Sequence, residues 1–114
     1  RLITLRVLVI GLRGLGVEIC KNLILAGPKA VGIWDPRPCT IQDRSTNFYI
    51  SKEHIEEGVS RAKACLPSLR KLNPYVDITE DETIGFGWFC DERAIEDWDI
   101  VVCSEVFNYS ETVL

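Results

Sequence analysis

Three glycines, Gly11, Gly14 and Gly16, lie between an apolar run and a helical pattern. Turns of this kind bind phosphate groups, because the helix N-terminus presents free N–H groups and glycine lets the backbone approach closely. In the G-x-G-x-x-G form of the turn, the second glycine would stand at position 13, where this sequence has Arg13. The spacing therefore predicts the backbone of a nucleotide-binding turn in which Arg13 fills the position where phosphates would approach most closely. We expect this nucleotide site to be vacant.

Asp35 ends the second apolar run, about 20 residues after the glycine turn, where such folds place a carboxylate that binds ribose hydroxyls. An aspartate before Pro36 is equally typical of a residue that caps a turn, and spacing alone leaves both interpretations open. Arg13 and Arg37 are available as guanidinium partners for Asp35 or for Asp43. We therefore hypothesise that an internal guanidinium–carboxylate pair replaces the nucleotide.

The order of apolar runs and helical patterns predicts the elements that position these residues. Strands are expected at 6–10, 30–34, 75–79 and 100–104, and helices at 17–26 and 53–72. Gly58 and Pro67 interrupt the second helix, and a break or kink is expected at Pro67 because proline lacks the backbone N–H. The segment 84–89 is ambiguous, and a short acidic helix is expected at 91–98. This order predicts an α/β fold with a doubly wound, mainly parallel, Rossmann-like sheet and helices on both faces.

Length and composition favour one modest domain. The 114 residues are 46% hydrophobic, which is enough for a single core. Because the sequence begins at Arg1 and its last residues resemble the start of a helix, we expect residues 1–114 to be one partial domain of a larger protein. The net charge of −4 argues against nucleic acid as a partner. No apolar run approaches the roughly 20 residues of a membrane span, so no membrane partner is expected.

The cysteine pattern favours a reducing compartment. None of the five cysteines forms a C-x-x-C pair, and a single histidine, His54, is too few for a typical Cys/His zinc site. Cys20 and Cys103 lie in apolar elements and are expected to be buried free thiols. A catalytic cysteine is the alternative, with His54 as its only histidine partner.

Over most of its length the sequence resembles the first adenylation half of ubiquitin-activating enzymes, within the ThiF/MoeB-like superfamily. The resemblance rests on the glycine turn and helix of residues 11–27, on the run Asp-Arg-Ser-Thr-Asn-Phe-Tyr at 43–49, and on residues 58–76. In that family two related adenylation domains pair: one binds Mg-ATP and activates the ubiquitin C-terminus, and the other is inactive.

Departures from the active pattern imply that this sequence resembles the inactive half. The active pattern has a small residue at 13, an aspartate at 37, an arginine at 46 and a lysine at 61; here these are Arg13, Arg37, Thr46 and Arg61. Asp35 alone is retained. The resemblance therefore implies no catalytic residue and no cofactor in this chain, and a degenerate, vacant nucleotide site made of Gly11, Arg13, Gly14, Gly16, Asp35 and Arg61.

The resemblance also offers one candidate metal ligand. The magnesium-binding aspartate of the active pattern corresponds to Glu105, which is the only candidate for a metal ligand that the resemblance offers.

The resemblance also implies a parent reaction and its partners. The parent would use Mg-ATP to adenylate the ubiquitin C-terminus and would pass it to a cysteine as a thioester. The partners would be the active adenylation domain of the same polypeptide, ubiquitin and ubiquitin-conjugating enzymes, in the cytoplasm and nucleus. Two alternatives remain: the regulatory subunit of a SUMO- or NEDD8-activating enzyme, and an NAD-dependent oxidoreductase, against which Arg13 argues because a dinucleotide needs the same close approach.

Overall fold

A computed structural model describes residues 4–80 and 98–104. In this part of the chain the strands are β1 (Arg6–Ile10), β2 (Ala30–Trp34), β3 (Asp77–Glu80) and β4 (Ile100–Cys103). The helices are α1 (Gly14–Ala26), α2 (Asp43–Thr46), α3 (Lys52–Glu56) and α4 (Arg61–Arg70). All strand pairs are parallel, in the order β3-β2-β1-β4, which confirms the predicted α/β fold with a parallel sheet.

The central strand β1 is buried on both faces. Val7 and Val9 pack in the main core with apolar side chains of β2, α1 and α4, whereas Leu8 and Ile10 pack on the opposite face with Trp34 and Trp98. A parallel strand between two layers is expected to be apolar on both faces, as residues 7–10 of β1 are. Both α1 and α4 belong to the main core, and the prediction of helices on both faces stays a prediction because residues 81–97 lie outside the described part.

Helix α1 begins at Gly14, three residues before the predicted start, because the glycine turn itself forms its first turn. It ends as expected. Gly27 adopts a left-handed conformation with φ of 82°, and its N–H donates to the carbonyl of Ile24 at 3.1 Å. Glycine is the residue that adopts this conformation without strain, so it fixes the end of the helix.

The predicted helix at 53–72 is two helices, α3 and α4. The break is at Gly58, whose φ of 67° does not belong to a right-handed helix, and not at Pro67, which lies inside α4. Ser60 starts α4 by accepting a hydrogen bond from the N–H of Lys63 at 3.2 Å. The predicted interruption at Gly58 is therefore confirmed, whereas the helix does not break at Pro67, and α4 continues for three residues beyond it.

The remaining predicted elements are shifted or lie outside the described residues. Strand β3 begins at Asp77 and not at 75, because the Asn73 side chain accepts a hydrogen bond from the N–H of Tyr75 and forms a turn there. The segment 84–89 and nearly all of the predicted helix 91–98 fall outside the described part. No helix within the described residues is long and apolar enough to cross a membrane.

The strand order defines where a ligand crevice would lie. The chain runs outward from β1 through β2 to β3, and β4 then pairs with the other edge of β1. The order reverses between β1 and β4, and in open α/β sheets ligands bind beyond the carboxyl ends of the strands at such a point. The glycine turn follows β1 at this position.

We expect Gly16→Ala to destabilise the chain by about 1–3 kcal/mol, because an added Cβ would overlap the carbonyl oxygen of Gly11, a backbone atom that cannot rotate away. Helix propensity alone would favour alanine by about 1 kcal/mol, so the sign of the change is diagnostic. Urea denaturation measures it. Leu25→Ala, at an exposed position of α1, is the control, and an equal loss in both variants would contradict the prediction.

Candidate functional site

The glycine turn is held by hydrogen bonds at the ends of two neighbouring strands, β2 and β4. Gly11 has φ of 93°, and its N–H donates to the carbonyl of Trp34 at 2.9 Å. Ser104, directly after β4, donates its hydroxyl to the carbonyls of Ile10 and Gly11 at 3.0 and 2.8 Å. Sequence reasoning assigned no role to Ser104, and the only available signal was its position at the end of an apolar run.

The close approach that glycine permits is used by the protein itself. A Cβ added to Gly14 would lie 2.9 Å from the Cβ of Thr46, so the backbone of the turn packs directly against α2. Thr46 therefore occupies the space beside Gly14, one residue after the position at which the G-x-G-x-x-G form of the turn has its phosphate-approach glycine.

Asp35 is buried at the carboxyl end of β2 and is surrounded by donors. One carboxylate oxygen, Oδ2, accepts from the N–H of Leu12 at 2.8 Å and from Arg37 Nη2 at 2.9 Å. The other, Oδ1, accepts from the Arg37 N–H at 3.1 Å and from Arg37 Nε at 3.0 Å. A carboxylate offers about four lone-pair sites, so these four hydrogen bonds use its accepting capacity. The hypothesised internal pair is present between Arg37 and Asp35.

A second pair lies beside the first. Arg61, buried at the first position of α4, donates from Nε to Asp43 Oδ2 at 2.9 Å, and its Nη1 lies 3.6 Å from Asp35 Oδ2. The N–H of Thr40 donates to the same oxygen of Asp43 at 2.7 Å. Burial by itself raises the pKa of Asp43, but the hydrogen bonds from Arg61 and Thr40 outweigh it and hold that pKa below its ordinary value.

Backbone hydrogen bonds between residues 35–39 and 59–62 bring Arg61 to the end of β2. The N–H of Arg61 donates to the carbonyl of Arg37 at 3.0 Å, and that of Ala62 donates to the carbonyl of Asp35 at 3.3 Å. The N–H of Cys39 donates to the carbonyl of Val59 at 3.0 Å. Residues 40–58, with α2 and α3, therefore form a loop whose two ends are hydrogen-bonded together.

The buried thiols are unsuited to nucleophilic chemistry. Burial raises the pKa of Cys20 to about 12 and that of Cys65 to about 11, so both stay protonated at neutral pH. The Asn47 amide donates to the Cys65 thiol at 3.3 Å. Cys103, expected to be buried, is exposed, because β4 is the last strand of the described sheet and pairs there with β1 alone.

The structure brings the predicted site residues together beyond the carboxyl ends of β1 and β2. Gly11, Gly14 and Gly16 form the turn, and Asp35 and Arg61 are in contact beside it. Arg13 precedes α1 and lines a cleft that is also lined by Asp43, Thr46 and Arg61. Glu105 lies outside the described part of the chain. Within that part, no group of three or more His, Cys, Asp or Glu side chains is placed to bind a metal ion.

We expect Arg37→Ala to lower the free energy of unfolding by about 2–4 kcal/mol, because the buried Asp35 carboxylate loses two charge-assisted hydrogen bonds. Urea denaturation at neutral pH measures the loss. Lys21→Ala is the control, because Lys21 forms an exposed pair with Glu18 that is worth at most about 1 kcal/mol. Equal effects of the two substitutions would contradict the prediction.

We also expect stability to fall as the pH drops. Since the pKa of Asp43 is lower in the folded chain, its contribution is present above the unfolded-state pKa of about 3.9 and is lost as the pH falls through the folded-state pKa. Denaturant midpoints between about pH 2 and pH 7 should therefore decrease less in Asp43→Asn than in the unsubstituted chain. Asp77→Asn, at an exposed position of β3, should retain the full decrease.

Comparison with known proteins places this chain in a family. The ThiF family model matches residues 1–104. Human ubiquitin-like modifier-activating enzyme 6 is 40% identical over 96 residues, which cover 84% of this chain and 9% of that protein. Human ubiquitin-like modifier-activating enzyme 1 is 51% identical over 79 residues, which cover 69% of this chain and 7% of that protein. The chain thus spans less than a tenth of the length of these relatives.

Solved structures share the fold at low sequence identity. E. coli tRNA N6-threonylcarbamoyladenosine dehydratase, TcdA, in complex with ATP has a TM-score of 0.74 at 15% identity, covering 93% of this chain and 43% of that one. E. coli MccB in complex with succinimide has a TM-score of 0.75 at 18% identity, covering 90% of this chain and 30% of that one. These similarities show a shared fold, and the match of the family model over residues 1–104 shows that the chain belongs to the ThiF family.

Proposed function

We propose that this chain is the non-catalytic adenylation half of a ubiquitin-activating enzyme and pairs with an active adenylation domain in the same polypeptide. The parent would adenylate the C-terminus of ubiquitin with Mg-ATP and pass it to a cysteine as a thioester. In this proposal the chain contributes a folded surface and supplies no catalytic group.

The observation that carries the proposal is the saturated carboxylate of Asp35. A ribose-binding aspartate must accept hydrogen bonds from sugar hydroxyls, and here the backbone of Leu12 and the backbone and side chain of Arg37 occupy its lone pairs. A nucleotide could bind this carboxylate only by displacing Arg37. That exchange would replace a bidentate ion pair with a guanidinium by hydrogen bonds from uncharged hydroxyls, which lack the second charge.

The phosphate end of the site supports the same proposal. Transfer of a nucleotidyl group needs fixed cations and donors around the phosphates. Thr46 carries no charge, and it packs against Gly14 of the glycine turn. The Arg61 guanidinium is engaged by Asp43. The residues present therefore do not fit ATP, and we assign no reaction step to this site.

The relatives support the proposed parent reaction. The names of the human relatives describe enzymes that activate ubiquitin-like modifiers, and fission yeast ubiquitin-activating enzyme E1 1 is 47% identical over 73 residues. These matches cover 64% to 84% of this chain. They favour an activating enzyme over the NAD-dependent oxidoreductase, which would need the Asp35 carboxylate for its own ribose.

Our experiment on the parent is ATP–pyrophosphate exchange with ubiquitin, SUMO and NEDD8 offered separately. Under the proposal ubiquitin alone stimulates exchange. Arg37→Lys in the parent should lower thermal stability and change the KM for ATP by less than about twofold, because the substitution weakens a structural pair away from the reacting ATP. A large rise in that KM, with unchanged stability, would assign ATP binding to this half.

The length of the parent polypeptide separates the proposal from its nearest alternative. A regulatory subunit of a SUMO- or NEDD8-activating enzyme is a separate chain, so its exchange activity would require a second protein. Exchange by the single polypeptide with ubiquitin would exclude that alternative.

A further inference from the structure

The outer side of α4 carries only positive charge. Residues 58–76 contain four arginines or lysines and no aspartate or glutamate, although the whole chain has a net charge of −4. One of the four, Arg61, is buried and paired. The other three, Lys63, Arg70 and Lys71, are exposed and form what we call the basic face. Because they are seven and eight residues apart, they lie on one side of the helix, and about 11 Å separates the first from the second.

The carboxylates nearby do not neutralise the basic face. Among residues 4–80 and 98–104, no ion pair joins any of its three side chains to an aspartate or glutamate. The first acid after α4 is Asp77, which lies beside another exposed cation, Lys29, because its N–H donates to the carbonyl of Lys29 at 3.2 Å. These two charges offset each other, and the basic face keeps its own.

Lys63 is unfavourable for the helix that carries it. It is the third residue of α4, and Ser60 caps the helix by accepting from its N–H at 3.2 Å. A glutamate or glutamine at this position would return a hydrogen bond to the N–H of Ser60, and the helix dipole favours an acid in the first turn. A lysine satisfies neither preference. Residues that break such a local rule are expected where a surface has a function.

The Arg70 guanidinium is fixed before any partner arrives. Its Nε donates to the carbonyl of Ile78 at 3.0 Å, which holds the side chain against β3. No other acceptor for this guanidinium lies in the described part of the chain, so its terminal nitrogens are available for a second one. A guanidinium held in this way loses little freedom when it binds a carboxylate.

Tyr75 supplies an apolar contact next to the basic face. It is 92% exposed, and it follows Lys71 by four residues, a span of at most about 14 Å. Asn73 fixes the turn that presents it, because Nδ2 donates to the carbonyl of Ile24 at 3.1 Å and Oδ1 accepts from the N–H of Tyr75 at 3.0 Å. Exposed tyrosine and arginine side chains on a fixed backbone are typical of surfaces that bind another protein.

We propose that the basic face and Tyr75 bind an acidic segment of a protein partner. Carboxylates of the segment accept from the three cations, and an apolar side chain between them packs against the Tyr75 ring. The net charge of −4 disfavours a polynucleotide, and three cations are fewer than the roughly four to eight that attach a protein to an anionic membrane. The proposal is independent of the parent reaction, because it requires only this side of the helix.

The test is an NMR titration of the full chain at constant ionic strength with two peptides, acetyl-Glu-Glu-Leu-Glu-Glu-amide and acetyl-Gln-Gln-Leu-Gln-Gln-amide. The glutamate peptide should bind about tenfold more tightly, because its carboxylates form charge-assisted hydrogen bonds. Its shifts should be centred on the amides of the basic face and of Tyr75. Equal affinity of the two peptides, or shifts centred elsewhere, would overturn the proposal.

Lys63→Glu separates binding from folding. It should raise the urea midpoint, because it completes the capping pair with Ser60, and it should weaken the glutamate peptide by at least about fivefold. Lys52→Glu is the matched control, because it makes the same change of charge in the first turn of α3. The control should keep the affinity within about twofold. Equal weakening in both variants would show that only net charge matters and would overturn the proposal.

Three further titrations decide the class of partner. Tyr75→Ala should weaken the glutamate peptide by about threefold, because the leucine loses its contact. An unchanged affinity would leave a bare cluster of cations and would contradict a protein segment. A deoxythymidine dodecamer and vesicles of phosphatidylcholine with phosphatidylserine should bind more weakly than the glutamate peptide. Binding of either as tightly would assign the surface to nucleic acid or to a membrane instead.

Discussion

The buried carboxylate of Asp35 is the interaction on which the rest of this site depends. It joins three segments that are distant in the sequence: the glycine turn through Leu12, the end of β2 through Arg37, and the start of α4 through Arg61. A buried charge is tolerated only where it is paired and hydrogen-bonded. If the turn or α4 is out of place, this carboxylate loses the hydrogen bond from Leu12 or the nearby charge of Arg61 and keeps only its local partner Arg37.

The same pairing makes the site unlike a nucleotide site built on the same fold. The donors that stabilise Asp35 are the protein's own, and under the proposed function its lone pairs therefore select no ligand. Thr46 uses the close approach at Gly14 in the same way. A site whose ligand-binding groups are engaged by its own chain needs no ligand to be stable. Mutation at such a site is therefore expected to affect folding before it affects binding.

The sequence predicted what depends on local pattern. Apolar runs located β1 and β2 with their observed ends, and the hypothesis of an internal pair anticipated Arg37 with Asp35. The pairing of Arg61 with Asp43 was not foreseen, because it depends on the backbone hydrogen bonds between residues 37–39 and 59–61. The division of the 53–72 pattern at Gly58 was predicted from the glycine, whereas the continuation of α4 past Pro67 required knowledge of the backbone conformation.

The hydroxyl of Ser104 has a consequence for the order in which the chain folds. It bonds the carbonyls of Ile10 and Gly11, across separations of 94 and 93 residues. Strands β1, β2 and β3 can pair through crossovers that are much shorter, whereas β4 must close a loop of most of the chain before it contacts β1. Such distant pairing is slow, and until it occurs one edge of β1 has open hydrogen-bonding groups. During synthesis the central strand would thus remain exposed to pairing with other chains until nearly all of this sequence has been made.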